Sequence, residues 1–168
     1  LKVRRVGLGL LMAIVCEGNN RRVYLSPEQD QDDIVESIEP EWKPEQELVG
    51  KSADQVPLYG MTTYGSLFGK RQMNSICVFS NLVMSLPKAS KVIHPNPPPI
   101  PNDKMSIVEA IQIYLTFALD KLTDYSSSLV TWIPIRETLR SSFGRQALAM
   151  VWDFAEVNPF SSSSGNWS

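Results

Sequence analysis

The stretch SFGRQALAMVWDFAEVNPF, residues 142–160, is the densest text in the chain. Gly144 tolerates positive φ and suits a stop or hinge. After it, Ala147, Leu148, Val151, Trp152 and Ala155 recur at three- and four-residue spacing, which predicts one apolar face of a helix. Arg145, Gln146, Asp153 and Glu156 fall largely off that line. Asn158-Pro159 then ends the helix, because proline disfavours helical geometry in the residue before it. The run Ser161 to Ser164 with Gly165 has nothing to bury, so a half-buried helix is expected to feed a flexible tail, 161–168. On their own, these residues imply a soluble, mostly helical domain and name no function.

Moving outward, residues 105–123 carry the strongest helix signal. Ser106 and Glu109 have capping-box spacing. Ile107, Val108, Ile111, Tyr114, Leu115, Ala118, Leu119 and Leu122 form a wide apolar stripe. Asp124–Ser128 is a polar break. Pro134 suits the first turn of a short helix running to about Ser141, which makes 104–160 a helical subdomain. Upstream, residues 59–93 hold a long helix, with Met73, Ile76, Cys77, Phe79, Leu82, Val83 and Leu86 as its apolar face. Pro87 is expected to stop it. Residues 94–103, rich in proline, read as a stiff connector; an aromatic groove is the other use of such text.

Residues 28–58 form an acidic connecting segment with Pro27, Pro40, Pro44 and Pro57 in or beside it and a short helical turn near Asp32–Ser37. Residues 1–27 predict a β-hairpin: Leu8–Cys16 as a buried strand, a turn at Gly18-Asn19-Asn20, and Arg22–Leu25 as the return. Lys2, Arg4 and Arg5 before an apolar run also have the layout of a secretory signal, although a small-residue cleavage site is missing. The run is too short to span a bilayer, which needs about 20 residues. The expected class is α+β, mainly α: an N-terminal β-hairpin followed by a small bundle of helices, one domain overall.

Of the 18 acids, nine lie between Glu28 and Glu47, and none between Gln55 and Asn102, where Lys70, Arg71, Lys88 and Lys91 stand. Such asymmetry implies two faces with different partners, or one segment packing on the other. Cys16, Cys77 and the lone His94 cannot build a zinc site, which usually takes four ligands. A reducing cytoplasm is the expected compartment, and no membrane association is expected. Leucine at position 1 and the abrupt end in Trp167-Ser168 suggest a piece of a longer chain.

Few groups here carry chemistry. Asn158-Pro159-Phe160 invites comparison with the loop of enzymes that methylate an exocyclic base amine, but the second proline is absent, and a helix stop is the plainer account. Asp153 and Glu156, three apart on one helix, read as solvated charges. The basic residues are more informative. Arg136 and Arg140, four apart, would share a helical face and grip neighbouring phosphates. With Lys70, Arg71 and Arg145 they are the DNA-contact candidates, and Gln72, after an arginine, could read adenine. Ion pairing with the acidic segment is the competing use of these bases. No Ser/His/Asp or Cys/His set is assembled from the sequence around the one histidine, so no residue is assigned a catalytic, cofactor or metal role.

Three passages together resemble one family: Arg22-Val23-Tyr24-Leu25-Ser26-Pro27; Tyr59-Gly60-Met61 with Gly65-Ser66-Leu67-Phe68 and Arg71-Gln72; and Phe143 through Leu148 with Val151 through Glu156 and Asn158-Pro159-Phe160. They are similar to the large adenine-specific DNA methylases of bacteria and archaea that contain a zinc ribbon. The resemblance covers most of the chain. In that family the S-adenosylmethionine motif and zinc ribbon lie earlier and the Asp-Pro-Pro-Tyr loop lies later. The resemblance therefore implies an inserted module for DNA recognition or cleft shaping, with the catalytic domain flanking it and S-adenosylmethionine bound there. A protein-interaction or scaffold module of a restriction-modification or phage-defence protein is the alternative.

Overall fold

A computed structural model describes residues 11–19, 21–93, 105–161 and 167. Helix accounts for 43% and strand for 12%, so the chain is α+β and mainly α, with a hairpin leading the helices. Expectations for residues 1–10, for the proline connector and for residues 162–166 lie outside the described residues. The tail, expected to be flexible, is not wholly loose: Trp167 stacks on Phe79 with ring centroids 4.4 Å apart.

Strand β1, Ile14–Glu17, pairs antiparallel with β2, Arg22–Leu25, closing with Glu17 opposite Arg22. The Gly18 amide donates to the Arg21 carbonyl at 2.9 Å, and Arg22 bonds Glu17 at 2.7 Å. The hairpin is not buried as expected: Val15, Val23, Tyr24 and Leu25 are exposed. Two strands alone have no second layer to close over them.

Helix α1, Gln29–Ser37, begins at Glu28, whose amide donates to the Gln31 side chain at 2.9 Å. The acidic segment then lies along helix α2, Lys70–Ile93. Lys70 pairs with Glu39, the Asn81 amide donates to Glu41 at 2.7 Å, and the Cys77 thiol to the Trp42 carbonyl at 3.3 Å. Of the two accounts of the charge asymmetry, packing of one segment on the other is the one observed here. Three single turns of 3-10 helix follow, Gly50–Ala53, Val56–Tyr59 and Tyr64–Leu67. Gly65 is required: a Cβ there would lie 2.5 Å from the Pro44 carbonyl oxygen, which accepts the Gly65 amide.

Pro87 does not stop α2, which runs six residues further, to Ile93. A helical proline frees the carbonyl four residues back and crowds it. That carbonyl belongs to Val83, and the Gln112 side-chain amide donates to it at 3.2 Å. Gln112 sits on helix α3, Ile107–Asp124, which packs on α2. The capping box of α3 forms as expected: the Ser106 hydroxyl accepts from the Glu109 amide at 3.1 Å and Glu109 accepts from the Ser106 amide at 2.8 Å. Hydrogen bonding from the Ser106 amide, and next from its hydroxyl, holds the Glu109 carboxyl below its ordinary pKa.

The region after α3 is not helical. Thr131–Ile133 and Thr138–Arg140 form an antiparallel hairpin, β3 and β4, where the position of Pro134 predicts a short helix. β-Branched Thr131, Ile133 and Thr138 favour the pleat. Residues 142–160 contain no helix either. Leu148 and Val157 are buried, but Trp152 is 81% exposed and meets Tyr59 edge-on at 5.7 Å. Local periodicity gives way to tertiary partners: the Ala155 amide donates to the Val130 carbonyl at 2.9 Å and the Ser142 amide to the Asp124 carbonyl at 3.0 Å.

Two apolar clusters result. One joins Leu48, Val56, Met61, Leu67, Leu129 and Leu148. The other joins Phe79, Leu122 and Val157, with Leu119, Leu139 and Trp167 packed on it. Replacing Gln112 by alanine leaves the Val83 carbonyl without its donor and is expected to cost about 1 kcal/mol in urea unfolding. Amide exchange in 88–93 should rise with it. Unchanged exchange there would show that α2 passes Pro87 without help from α3.

Candidate nucleic-acid interface

The six DNA-contact candidates separate into two groups. Lys70, Arg71 and Gln72 open α2, and the fold already uses all three. Lys70 is paired with Glu39. The Arg71 guanidinium bonds both oxygens of Glu156, Nε at 2.6 Å and Nη2 at 3.1 Å. Such a bidentate pair fixes a plane as well as a distance. Gln72 is 2% exposed, so it cannot meet a base edge in this fold. Its Oε1 accepts from the Gly69 amide at 2.7 Å, capping the helix, and from the Ser128 hydroxyl at 3.4 Å. Its Nε2 is buried with no acceptor among the described residues.

Arg136, Arg140 and Arg145 differ. All three are exposed, and none is in an ion pair among the described residues. Their placement departs from expectation, however. Arg136 and Arg140 do not share a helical face. Arg136 sits in the loop between β3 and β4, and Arg140 pairs with Thr131 at the far end of the ladder. Arg145 lies in the irregular segment just past Ser141.

The loop itself, Pro134–Glu137, is tight. The Arg136 amide donates to the Ile133 carbonyl at 3.2 Å and the Glu137 amide to the Pro134 carbonyl at 3.3 Å. Proline at the first loop position presets φ for such a turn. Glu137 closes it at φ 46, the one non-glycine residue with positive φ among those described. Ile135 stands at the tip, 97% exposed.

The Asn158 passage is neither a helix stop nor a free acceptor loop. Its side-chain oxygen accepts the Phe160 amide at 3.0 Å and its carbonyl accepts the Ser161 amide at 3.0 Å, so both acceptors are used within the turn. Asp153 and Glu156 are likewise not a solvated pair on a helix; Glu156 is half-buried on Arg71. No local pattern marks this pairing, because the partners lie 85 residues apart.

The described residues contain no cluster of three or more His, Cys, Asp or Glu able to hold a metal ion. No described helix is long and apolar enough to cross a membrane. No protein-family model, curated protein or solved structure matches the chain.

The Arg71–Glu156 bond makes Arg71 a structural residue. A double-mutant cycle of Arg71→Ala and Glu156→Ala should give a coupling of about 1 kcal/mol in thermal unfolding, as both groups are partly exposed. Strictly additive effects of the two substitutions would show that the pair does not hold the 142–160 segment in place.

Proposed function

We propose that this chain is the inserted module of an S-adenosylmethionine-dependent DNA adenine methyltransferase, contributing DNA contacts and cleft shape. The observation that carries the proposal is the set of Arg136, Arg140 and Arg145. They are exposed cations on one hairpin and the loop after it, outside every ion pair among the described residues. Guanidinium groups held this way suit phosphate oxygens, which position a duplex without reading its sequence.

A second observation supports the family reading. Two of the passages that carry the resemblance are joined in space: Met61 and Leu67 share a cluster with Leu148, Tyr59 meets Trp152, and Arg71 holds Glu156. Motifs at 59–72 and 143–160 thus act as halves of one packing unit. No residue of this chain is assigned a role in methyl transfer. S-adenosylmethionine and the reacting groups belong, on this reading, to the flanking catalytic domain of a cytoplasmic enzyme.

Helix α3 favours a second role, protein docking. Ile107, Ile111, Tyr114 and Phe117 are exposed, beside a covered stripe of Leu115, Leu119 and Leu122. An apolar face this much wider than its cover suits a further partner surface. Docking against the flanking catalytic domain is compatible with both the arginines and this face. A protein-interaction or scaffold module of a restriction-modification or phage-defence protein accounts for the face alone.

The test uses the full-length chain with Arg136→Ala, Arg140→Ala and Arg145→Ala combined. Binding to mixed-sequence duplex DNA should weaken, and the slope of log affinity against log salt should fall by about 0.9 for each phosphate no longer neutralised. Equal affinity and equal slope in a variant of unchanged melting temperature would refute the DNA role and leave protein docking.

A further inference from the structure

We propose that the β3–β4 hairpin is a DNA wedge, in which Ile135 enters between stacked base pairs while Arg136 and Arg140 hold neighbouring phosphates. The inference deepens the function proposed above and rests on it.

Three features of the hairpin point this way. The first is the tip. Ile135 is more exposed than any other large apolar side chain among the described residues. Scattered exposed apolar residues are ordinary on protein surfaces. This one differs in standing at the point of a loop stiffened by Pro134 and by two overlapping turn hydrogen bonds. Aliphatic side chains presented in this way unstack a base step and kink the duplex.

The second is the base. A wedge works only if its mount resists being pushed back. Leu139 of β4 packs on the cluster of Phe79, Leu122 and Val157, so the hairpin is seated on the apolar core. Trp132, opposite Leu139 in the ladder, is half-buried as well. Val130, just before β3, is fully buried and anchors the first strand.

The third is charge. Arg136 adjoins the tip and Arg140 lies at the open end of the ladder, on the order of 10 Å away along the strand at its usual rise per residue. Both are outside ion pairs among the described residues. Glu137 opposes them, and its positive φ shows it is kept in the turn at a conformational cost. A phosphate-facing hairpin should therefore bind more tightly when Glu137 is neutral. In an enzyme that turns an adenine out of the helix, a side chain that opens the stack lowers the unstacking cost at the target.

The experiment uses the full-length chain and a mixed-sequence duplex of about 30 base pairs, long enough to report a bend. It carries 2-aminopurine in place of several adenines and a donor–acceptor dye pair at its ends. The unaltered chain is expected to raise 2-aminopurine fluorescence and shorten the end-to-end distance. Ile135→Ser should abolish both signals while affinity stays within about two-fold and the salt slope is unchanged, because the phosphate contacts remain. Ile135→Phe should retain both signals, and Glu137→Gln should raise affinity. If Ile135→Ser still bends and unstacks like the unaltered chain, the wedge is wrong and the DNA role stands. If the unaltered chain shows no salt-dependent DNA binding, the DNA role fails and takes the wedge with it.

Discussion

Leu67 is closed to solvent, and most of the irregular half of this protein is arranged around it. Its side chain lies among Leu48, Val56, Met61, Leu129 and Leu148, and its carbonyl accepts the Ser128 amide at 2.8 Å. None of these residues belongs to a helix longer than one turn. The stretches therefore have little regular ladder of their own and are held by burial, at about 1.5–3 kcal/mol for a fully buried side chain of this size. The same knot sets the start of α2, since Gly69 and Gln72 follow directly and Gln72 bonds Ser128.

That dependence explains which parts of the fold are legible in the sequence. Ser106 and Glu109 act within one helical turn, so their spacing states the start of α3. The turn after β1 acts locally too, and β2 forms where expected, whereas β1 begins only at Ile14, later than the expected Leu8, and the hairpin is exposed. Pro87 misleads because its consequence is relieved from elsewhere: Gln112, 29 residues beyond Val83, bonds the carbonyl that the proline frees. The periodic residues of 142–160 mislead for the same reason. Amides at Ser142 and Ala155 find partners at Asp124 and Val130, so a non-helical path satisfies them as a helix would.

The candidate site follows the same rule. Basic residues can be counted in a sequence, but their availability cannot. Lys70 and Arg71 stand in an acid-free stretch, yet the fold brings Glu39 and Glu156 to them. Gln72 has the residue type of a base reader and is instead a helix cap with 2% of its surface exposed. Each of these uses is tertiary, spanning tens of residues, apart from the Gly69–Gln72 bond.

What remains after folding is more telling than what was present before it. Among the groups left exposed are cations on the β3–β4 hairpin and the loop beyond it, and apolar side chains on α3 and at Ile135. Water solvates the first well and the second poorly. A protein surface on α3 would relieve the apolar excess there, since burial of Ile107, Ile111 and Tyr114 needs no charge. At Ile135 the apolar group stands between Pro134 and Arg136, within a loop that also carries Glu137. A partner for that tip has to accept a hydrocarbon and a cation within one residue of each other. On the function proposed, stacked bases bordered by phosphates would offer that combination, an apolar interior edged by negative charge.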